Sequence, residues 1–519
     1  MPSEEKTRRY LNTFVRTSIF VLFSILLSKV FTYAYKITIA RHFGAEVYGN
    51  FSLAIIVTGF FIAFASLGFS DGLVRYISYY LGKKDVSRIK YFVIFSVKIM
   101  IISGLLGGFV LFFSADYISR YFFHNVEISI YLKTFSLIVP LSLLGSLAIA
   151  LLRSYEKAKT ASFIVGIFHN GVRFLLLVAL IFMGLRLNSL LYSYIISYVL
   201  VVFVALYFAR KNLRDISHSA DSLSATEKGS LRRDIFSYSW PLIFVGLLFS
   251  MFYWIDSLVL GYFADATVVG YYSAAATLAG LFIMAPDLFS QLFLPIVSKE
   301  LSRKNGSVIR NITKQITKWI YMINIPLFAA LFVFPGVVLN LFFGQEFVAA
   351  QIPLRILAVG GLFSSFINTF TALLSAKKKT KMILYNFGIF SALNLAINLL
   401  LIRFGMIGVS IATTLCWIGF YSALFFQIRR QYGFYPLQKA TLRMTVASLF
   451  LVGILYLSAQ QFSATLMGMI GAMILFCVGY LGVLFTTRAL DERDWLIVSD
   501  LKTKLTRNSG PLTRSSQNE

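Results

Sequence analysis

The stretch Tyr91–Phe113 reads YFVIFSVKIMIISGLLGGFVLFF, and its one charged residue is Lys98. An α-helix rises about 1.5 Å per residue, so a run of this length covers the roughly 30 Å hydrocarbon core of a bilayer. Comparable runs recur at Tyr48–Phe69, Phe163–Met183, Leu190–Phe208, Val446–Leu457 and Leu466–Phe485. Across the 519 residues 58% are hydrophobic and 13% charged, where a soluble domain has about 45–50% and roughly 25%. The chain therefore reads as an all-α integral membrane protein of about 14 transmembrane helices. Spans are expected near 14–38, 48–70, 91–114, 128–151, 161–183, 190–209, 237–261, 269–294, 319–335, 356–375, 382–402, 406–426, 444–458 and 465–486. The segment MPSEEKTRRY lacks a short apolar region with a small-residue cleavage site, so the first run is read as a retained helix.

The formal net charge of +26 is sorted by side. With residue 1 placed inside, 37 of the 48 Lys and Arg fall in cytoplasmic segments. The external loops carry five: Arg41, Arg120, Arg186, Arg355 and Arg403. The positive-inside bias gives that asymmetry, because basic loops resist translocation. The expectation is a multi-pass protein of the plasma or inner membrane with both termini cytoplasmic. The charge then needs no nucleic-acid partner. Only Cys416 and Cys477 are cysteines, and both lie in apolar runs, which excludes a disulfide framework. The four histidines are scattered without metal-ligand spacing such as H-E-x-x-H, and no metal site is expected.

The chain repeats itself at an offset of about 220 residues. ASLGFSDGLVRYISYYLGKKD (Ala65–Asp85) and APDLFSQLFLPIVSKELSRKN (Ala285–Asn305) share six of 21 positions. LLRSYEKAKTASFIVGIFHN from Leu151 and LLSAKKKTKMILYNFGIFSA from Leu373 share seven of 20. Gly49-Asn-Phe-Ser52 corresponds to Gly270-Tyr-Tyr-Ser273 after a one-residue gap. Six spans per half, each half starting on the same side, make a parallel repeat whose substrate site is expected between the halves near the midplane. The domains expected are an N-lobe 1–209, a linker 210–236, a C-lobe 237–432, two additional helices in 433–487 and a cytoplasmic tail 488–519.

Three segments carry a resemblance to a known family. ARHFGAEVYGNFSLA (Ala40–Ala54) resembles the first-loop signature of polysaccharide (O-antigen-type) flippases of the multidrug/oligosaccharidyl-lipid/polysaccharide exporter superfamily. WIDSLVLGYFADATVVGYYSAA (Trp254–Ala275) resembles its counterpart in the second half, and Ile356–Thr414 is similar to that family's helices ten to twelve. The resemblance implies a flippase, not an enzyme, that carries polyprenyl-diphosphate-linked oligosaccharide outward by alternating access for cell-surface polysaccharide synthesis. Its implied partners are the lipid-linked oligosaccharide, membrane lipids and glycan-assembly enzymes. One chain has enough helices to act as a monomer. A drug exporter or a peptidoglycan-precursor flippase of the same superfamily is the alternative; drug exporters usually stop at twelve helices, so the additional pair favours the polysaccharide branch.

A charge in the middle of a lone helix costs about 2.5–3.5 kcal/mol on insertion scales, so such groups usually face a cavity or a partner. Lys29 and Arg173 sit near mid-helix, and Lys98 about a third of the way along its span. These three are the expected diphosphate ligands, since an anion leaving water needs fixed cations and Arg holds phosphate bidentately. The competing reading is an internal salt bridge or a water-filled packing defect, or snorkelling for Lys98; Arg16 and Lys133, near helix ends, are expected to be structural. Lys36 and Asp256, 220 residues apart in the two halves, are expected to form a gate pair. Asp287, after Pro286, is the expected site of ion coupling, by H⁺ or Na⁺, and no other cofactor is expected. Asn394 and Asn398, at i and i+4, are expected to touch sugar hydroxyls or to join helices. Asp71 and Arg75 have the spacing of a helix-end ion pair. No G-x-x-x-x-G-K-[ST] occurs, so work must come from the membrane or from product consumption.

Overall fold

The structure is a computed structural model that describes the backbone of residues 2–217, 223–458, 466–487 and 489. The side chains of 2–19, 211–213, 215–217, 291 and 292 lie outside that description, Arg16 among them. Nearly all of the expected tail 488–519 lies outside it too.

The first lobe holds α1 (Pro2–Ala65), α2 (Phe69–Gly82), α3 (Val86–Tyr117), α4 (Ile128–Phe135), α5 (Ile138–Ser154), α6 (Ala158–Ser162), α7 (His169–Phe182) and α8 (Leu187–Ser217). The second holds α9 (Ala225–Phe263), α10 (Ala266–Ala279), α11 (Met284–Ser302), α12 (Gly306–Val333), α13 (Pro335–Phe342), α14 (Gln351–Ser364), α15 (Ile367–Ala376), α16 (Thr380–Leu401) and α17 (Gly405–Tyr432). Then come α18 (Lys439–Ser458) and α19 (Leu466–Thr486). No strand occurs among the described residues.

Twelve helical segments of the described chain are long and apolar enough to cross a membrane. Two of them, Phe20–Ala65 and Thr380–Tyr432, run 46 and 53 residues, more than twice what one crossing requires. Each is a pair of arms. Gly44 leaves the helix with φ 82° and ψ 179°, and the rings of Tyr35 and Phe51 on either side of it lie 6.0 Å apart. On a straight helix those residues would stand about 24 Å apart. Gly405 (φ 59°) makes the second reversal, and across it Asn386 and Gln427 exchange hydrogen bonds of 2.8 and 3.0 Å. Twelve segments with two hairpins give fourteen crossings, the number expected.

The lobes meet where neither can carry a side chain. A Cβ on Gly49 would stand 1.8 Å from the carbonyl oxygen of Ala266, and one on Gly270 would stand 1.9 Å from that of Ala45. The two contacts are images of each other, because 45 and 49 map onto 266 and 270 at one offset of 221. Small residues four apart let membrane helices approach to backbone contact, which here joins the second arm of α1 to α10. At the same end Arg41 donates to the carbonyls of Asn340, Leu341 and Phe342 at the last turn of α13, at 2.5–3.1 Å. That is where a helix leaves carbonyls unpaired and its dipole negative.

At the opposite, linker end, α9 crosses over to the first lobe. It starts at Ala225, well before its expected span, because Ser224 and Glu227 form a reciprocal capping box. Much of the polar linker is thus helix. Arg88 of α3 pairs with Glu227 at 3.3 Å, and Phe236 packs edge-on against Phe69 at 5.1 Å. Arg75 covers the ring of Tyr238 at 4.2 Å and so belongs to this seam, where a pair with Asp71 was expected.

Replacing Gly49 or Gly270 by Val should lower the thermal midpoint of the detergent-solubilised protein, because the new side chain meets backbone and not a flexible neighbour. The loss expected is at least about 2 kcal/mol, at the upper part of the usual overpacking range. Gly246→Ala on α9, where nothing lies within 4 Å, should leave the midpoint within a degree or two. Size-exclusion after a heating series reads both.

Candidate functional site

Between the lobes, on the linker side of the glycine crossing, three cations approach one another. Lys29 on the first arm of α1 reaches Asp287 of α11 at 3.3 Å, and both side chains stay partly exposed, at 37% and 27%. Asn368 of α15 donates to the other oxygen of Asp287 at 2.6 Å. An ion pair this accessible to water is worth only about 0–1 kcal/mol to the fold. Asp287 is thus tied to the opposite lobe by a bond that another anion can replace.

Arg173 is held differently. It is 8% exposed and lies over the rings of Tyr35 and Tyr194, 4.9 Å from each centroid. Its Nη2 donates to Asn170 at 2.6 Å, and Asn170 in turn donates to Ser28, the neighbour of Lys29, at 2.8 Å. Asn170 also reaches the carbonyls of Val165 and Gly166 at 3.3 and 3.2 Å. Those carbonyls belong to a π-helical turn, Phe163–Phe168, whose wider hydrogen-bond spacing opens the helix at this point. Arg173 Nε is buried without a hydrogen-bond partner, and no carboxylate pairs with Arg173 among the described residues. Stacking on two aromatic faces orients the guanidinium without neutralising it.

Lys36, one arm with Lys29, donates to Thr277 of α10 at 3.3 Å, and Tyr48 from the second arm meets the same hydroxyl at 3.1 Å. Lys36 lies within electrostatic reach of both Arg173 and Lys29. Lys36 thus stands near both other cations, and among the described residues only Lys29 of the three pairs with a carboxylate, Asp287.

The expected gate pair is not formed. Asp256 accepts from the Tyr272 hydroxyl at 2.5 Å and from the Ser257 amide at 2.7 Å. The reason is register: the 221 offset of the glycine crossing already holds here, so Asp256–Tyr272 is the image of Tyr35–Phe51. Lys36 corresponds to Ser257, and one residue along a helix is a rotation of about 100°. Lys98 is not brought to the other cations either. It is exposed on α3 in one stripe with Ile94, Ile101, Ile102 and Leu105, an apolar face of the kind that meets lipid, from which a lysine reaches the headgroups. Lys133 pairs with Asp116 at 2.7 Å. Asn394 and Asn398 are wholly buried and bond each other at 2.6 Å, out of reach of a solute in this conformation. Asn170 and Asn368 were visible as polar residues in apolar runs; Tyr35, Tyr194 and Thr277 carried no signal of their own.

The family profile described as "polysaccharide biosynthesis protein" matches residues 14–289. The chain belongs to that family. A second profile, MatE, matches residues 241–400, and the pair places this polysaccharide-biosynthesis family member in the exporter superfamily of the resemblance above. No curated protein matches it in a sequence search. Among solved structures it is similar to a lipid II flippase MurJ in an inward closed conformation, with a TM-score of 0.69 at 17% identity, covering 92% of this chain and 99% of that one. An inward-facing multidrug-resistance MATE transporter gives 0.67 at 16%, covering 80% and 98%. The outward-facing form of a multidrug-resistance MATE transporter gives 0.58 at 17%, covering 81% and 95%. The family and fold are those of multi-pass membrane transporters and flippases.

Asn398→Leu should destabilise by about 1–3 kcal/mol, since it strands Asn394 as an unpaired buried amide. The double variant Asn394→Leu/Asn398→Leu should recover most of that loss, because both polar partners go together. Thermal melts of the three proteins test this, and transport by the double variant close to wild type would agree with a role confined to packing.

Proposed function

We propose that this protein moves a polyprenyl-diphosphate-linked oligosaccharide from the cytoplasmic to the external leaflet by alternating access, for cell-surface polysaccharide synthesis. The observation that carries the reading is the charge of the cleft: three cations against one carboxylate leave about two positive charges, the complement of a diphosphate. Arg173 is the fixed ligand. Lys29 exchanges Asp287 for phosphate, and Lys36 completes the cradle. The profile match to a polysaccharide biosynthesis family supports the oligosaccharide over a cationic drug, which three cations would repel.

By the positive-inside count the Gly44 end is external. The glycine crossing and the Arg41 contacts then close the external side, and Lys29 and Asp287 are reached from the cytoplasm. The higher likeness to the inward-facing than to the outward-facing MATE structure supports that assignment. When phosphate takes Lys29, Asp287 is released to bind H⁺ or Na⁺, which would couple an ion to the cycle. Two charges moving outward through 100 mV gain about 4–5 kcal/mol without any ion.

Proteoliposomes carrying a fluorescent polyprenyl-diphosphate oligosaccharide, with an external quencher reading sugar exposure, test this. Wild type should flip the lipid, Arg173→Ala and Lys29→Ala should slow it at least tenfold, and Arg173→Lys should recover only part. Asp287→Asn should remove any dependence on the H⁺ or Na⁺ gradient. Flipping unaffected in Arg173→Ala would discard the site; no flipping by folded wild type would point to the drug-exporter alternative.

A further inference from the structure

A cavity of about 670 Å³ opens at the Gly44 end between the lobes, and none of the three cations lines it. One wall is the first lobe's turn from Phe123 to Ile128, with Glu46 beside it; the other is the second lobe's turn from Gly261 to Thr267. Its size lies within the usual range for small-molecule sites. The floor is sealed because Gly261 has no side chain: a Cβ there would come within 2.9 Å of Leu53 and Phe123.

The lining is of two kinds. Part is prearranged: Asn125 donates to Asn50 at 3.0 Å and accepts from the Glu127 amide at 2.9 Å, while Asn50 donates to the Glu127 carboxylate at 3.3 Å. Part is unspent. Asp265 occupies the N-cap of α10, where its carboxylate would ordinarily accept from the helix, yet it makes no capping bond. Among the described residues neither the Asp265 nor the Glu46 carboxylate has a hydrogen bond or ion pair. Tyr262 sits at the rim with its ring edge-on to His124 at 5.5 Å and to Phe122 at 5.3 Å.

The carboxylates do not converge: no group of three His, Cys, Asp or Glu among the described residues is placed to share a metal ion. Acceptors spread along a cleft with an aromatic face at one side suit an extended ligand rich in hydroxyls. A pyranose ring lays its C–H face on an aromatic ring, and its hydroxyls donate to carboxylates and amides. Two free carboxylates add a preference for amino sugars over acidic ones. We infer that this cleft is a saccharide-binding site, built from both lobes, that holds the glycan on the exit side as the lobes part. The inference rests on the glycan-carrying reading above, and its test is separate from the flipping assay.

Saturation-transfer NMR on the full chain in lipid nanodiscs, with maltotriose and the glucosamine trimer as soluble probes, reads the cleft directly. Wild type should transfer saturation to both probes, more strongly to the amino sugar. Tyr262→Ala and Glu46→Gln/Asp265→Asn should each cut the signal at least fivefold. Tyr262→Phe, which keeps the ring, and Lys98→Ala, on the lipid-facing stripe, should preserve it. Signals unchanged in both cleft variants, or no transfer by wild type, would overturn the site. Saccharide binding by a wild type that flips no lipid-linked glycan would keep the cleft and remove the flippase reading.

Discussion

Two helices from different lobes touch backbone to backbone where Gly49 and Gly270 stand, and the rest of the architecture is arranged around that contact. Dispersion forces are short-ranged, so helices in lipid associate through close fit more than through burial of oil in oil. The reciprocal position of the two glycines makes the contact a pseudo-dyad. Everything next to it is therefore shared between lobes: Thr277 receives Lys36 and Tyr48, and Glu346 takes the Ala45 amide. Two bare backbones can rotate on each other without dragging side chains through a groove, so under the proposed alternating access this contact would be a pivot as well as a seal.

Below the pivot the cations are of two grades. Arg173 is oriented by aromatic rings and an amide that remain in place whatever occupies the cleft. Lys29 is held by a partly hydrated carboxylate from the other lobe, a bond weak enough to be traded. On the proposed reading, the fixed cation gives the anion somewhere to land, and the tradable one converts landing into a change in how the lobes are tied. That division follows from environment: guanidinium groups tolerate burial against rings, whereas an ammonium keeps its water.

Much of this architecture was legible in the sequence. Apolar run length set the number of crossings, basic-residue counts gave the expected sidedness, and internal repetition paired Gly49 with Gly270 without showing that they meet. Lys29 and Arg173 stood out because a charge in an apolar run needs a reason. Legibility failed where a single residue of register mattered. Lys36 and Asp256 look equivalent at an offset of 220, and at 221 they point to different neighbours. It failed again for Lys98, since a run of apolar residues does not say which helical face meets lipid. Asn394 and Asn398 show the same gap: spacing put them on one face, and only packing shows that the face is sealed. The aromatic cradle of Arg173 was invisible, because a chain with 28 tyrosines offers no ground for choosing Tyr35 and Tyr194.

The π-helical turn Phe163–Phe168 sits one turn before Asn170 and Arg173. Such a turn arises when one extra residue is accommodated in an otherwise regular helix. Loss of one codon there would restore ordinary winding and swing everything beyond it by about 100°, turning the guanidinium from the cleft toward the helix flank. The helix itself would survive, still apolar and still long enough to span. If Arg173 reads the cargo's charge as proposed, that reading hangs on a length, and an indel could change it without replacing any residue that touches the cargo.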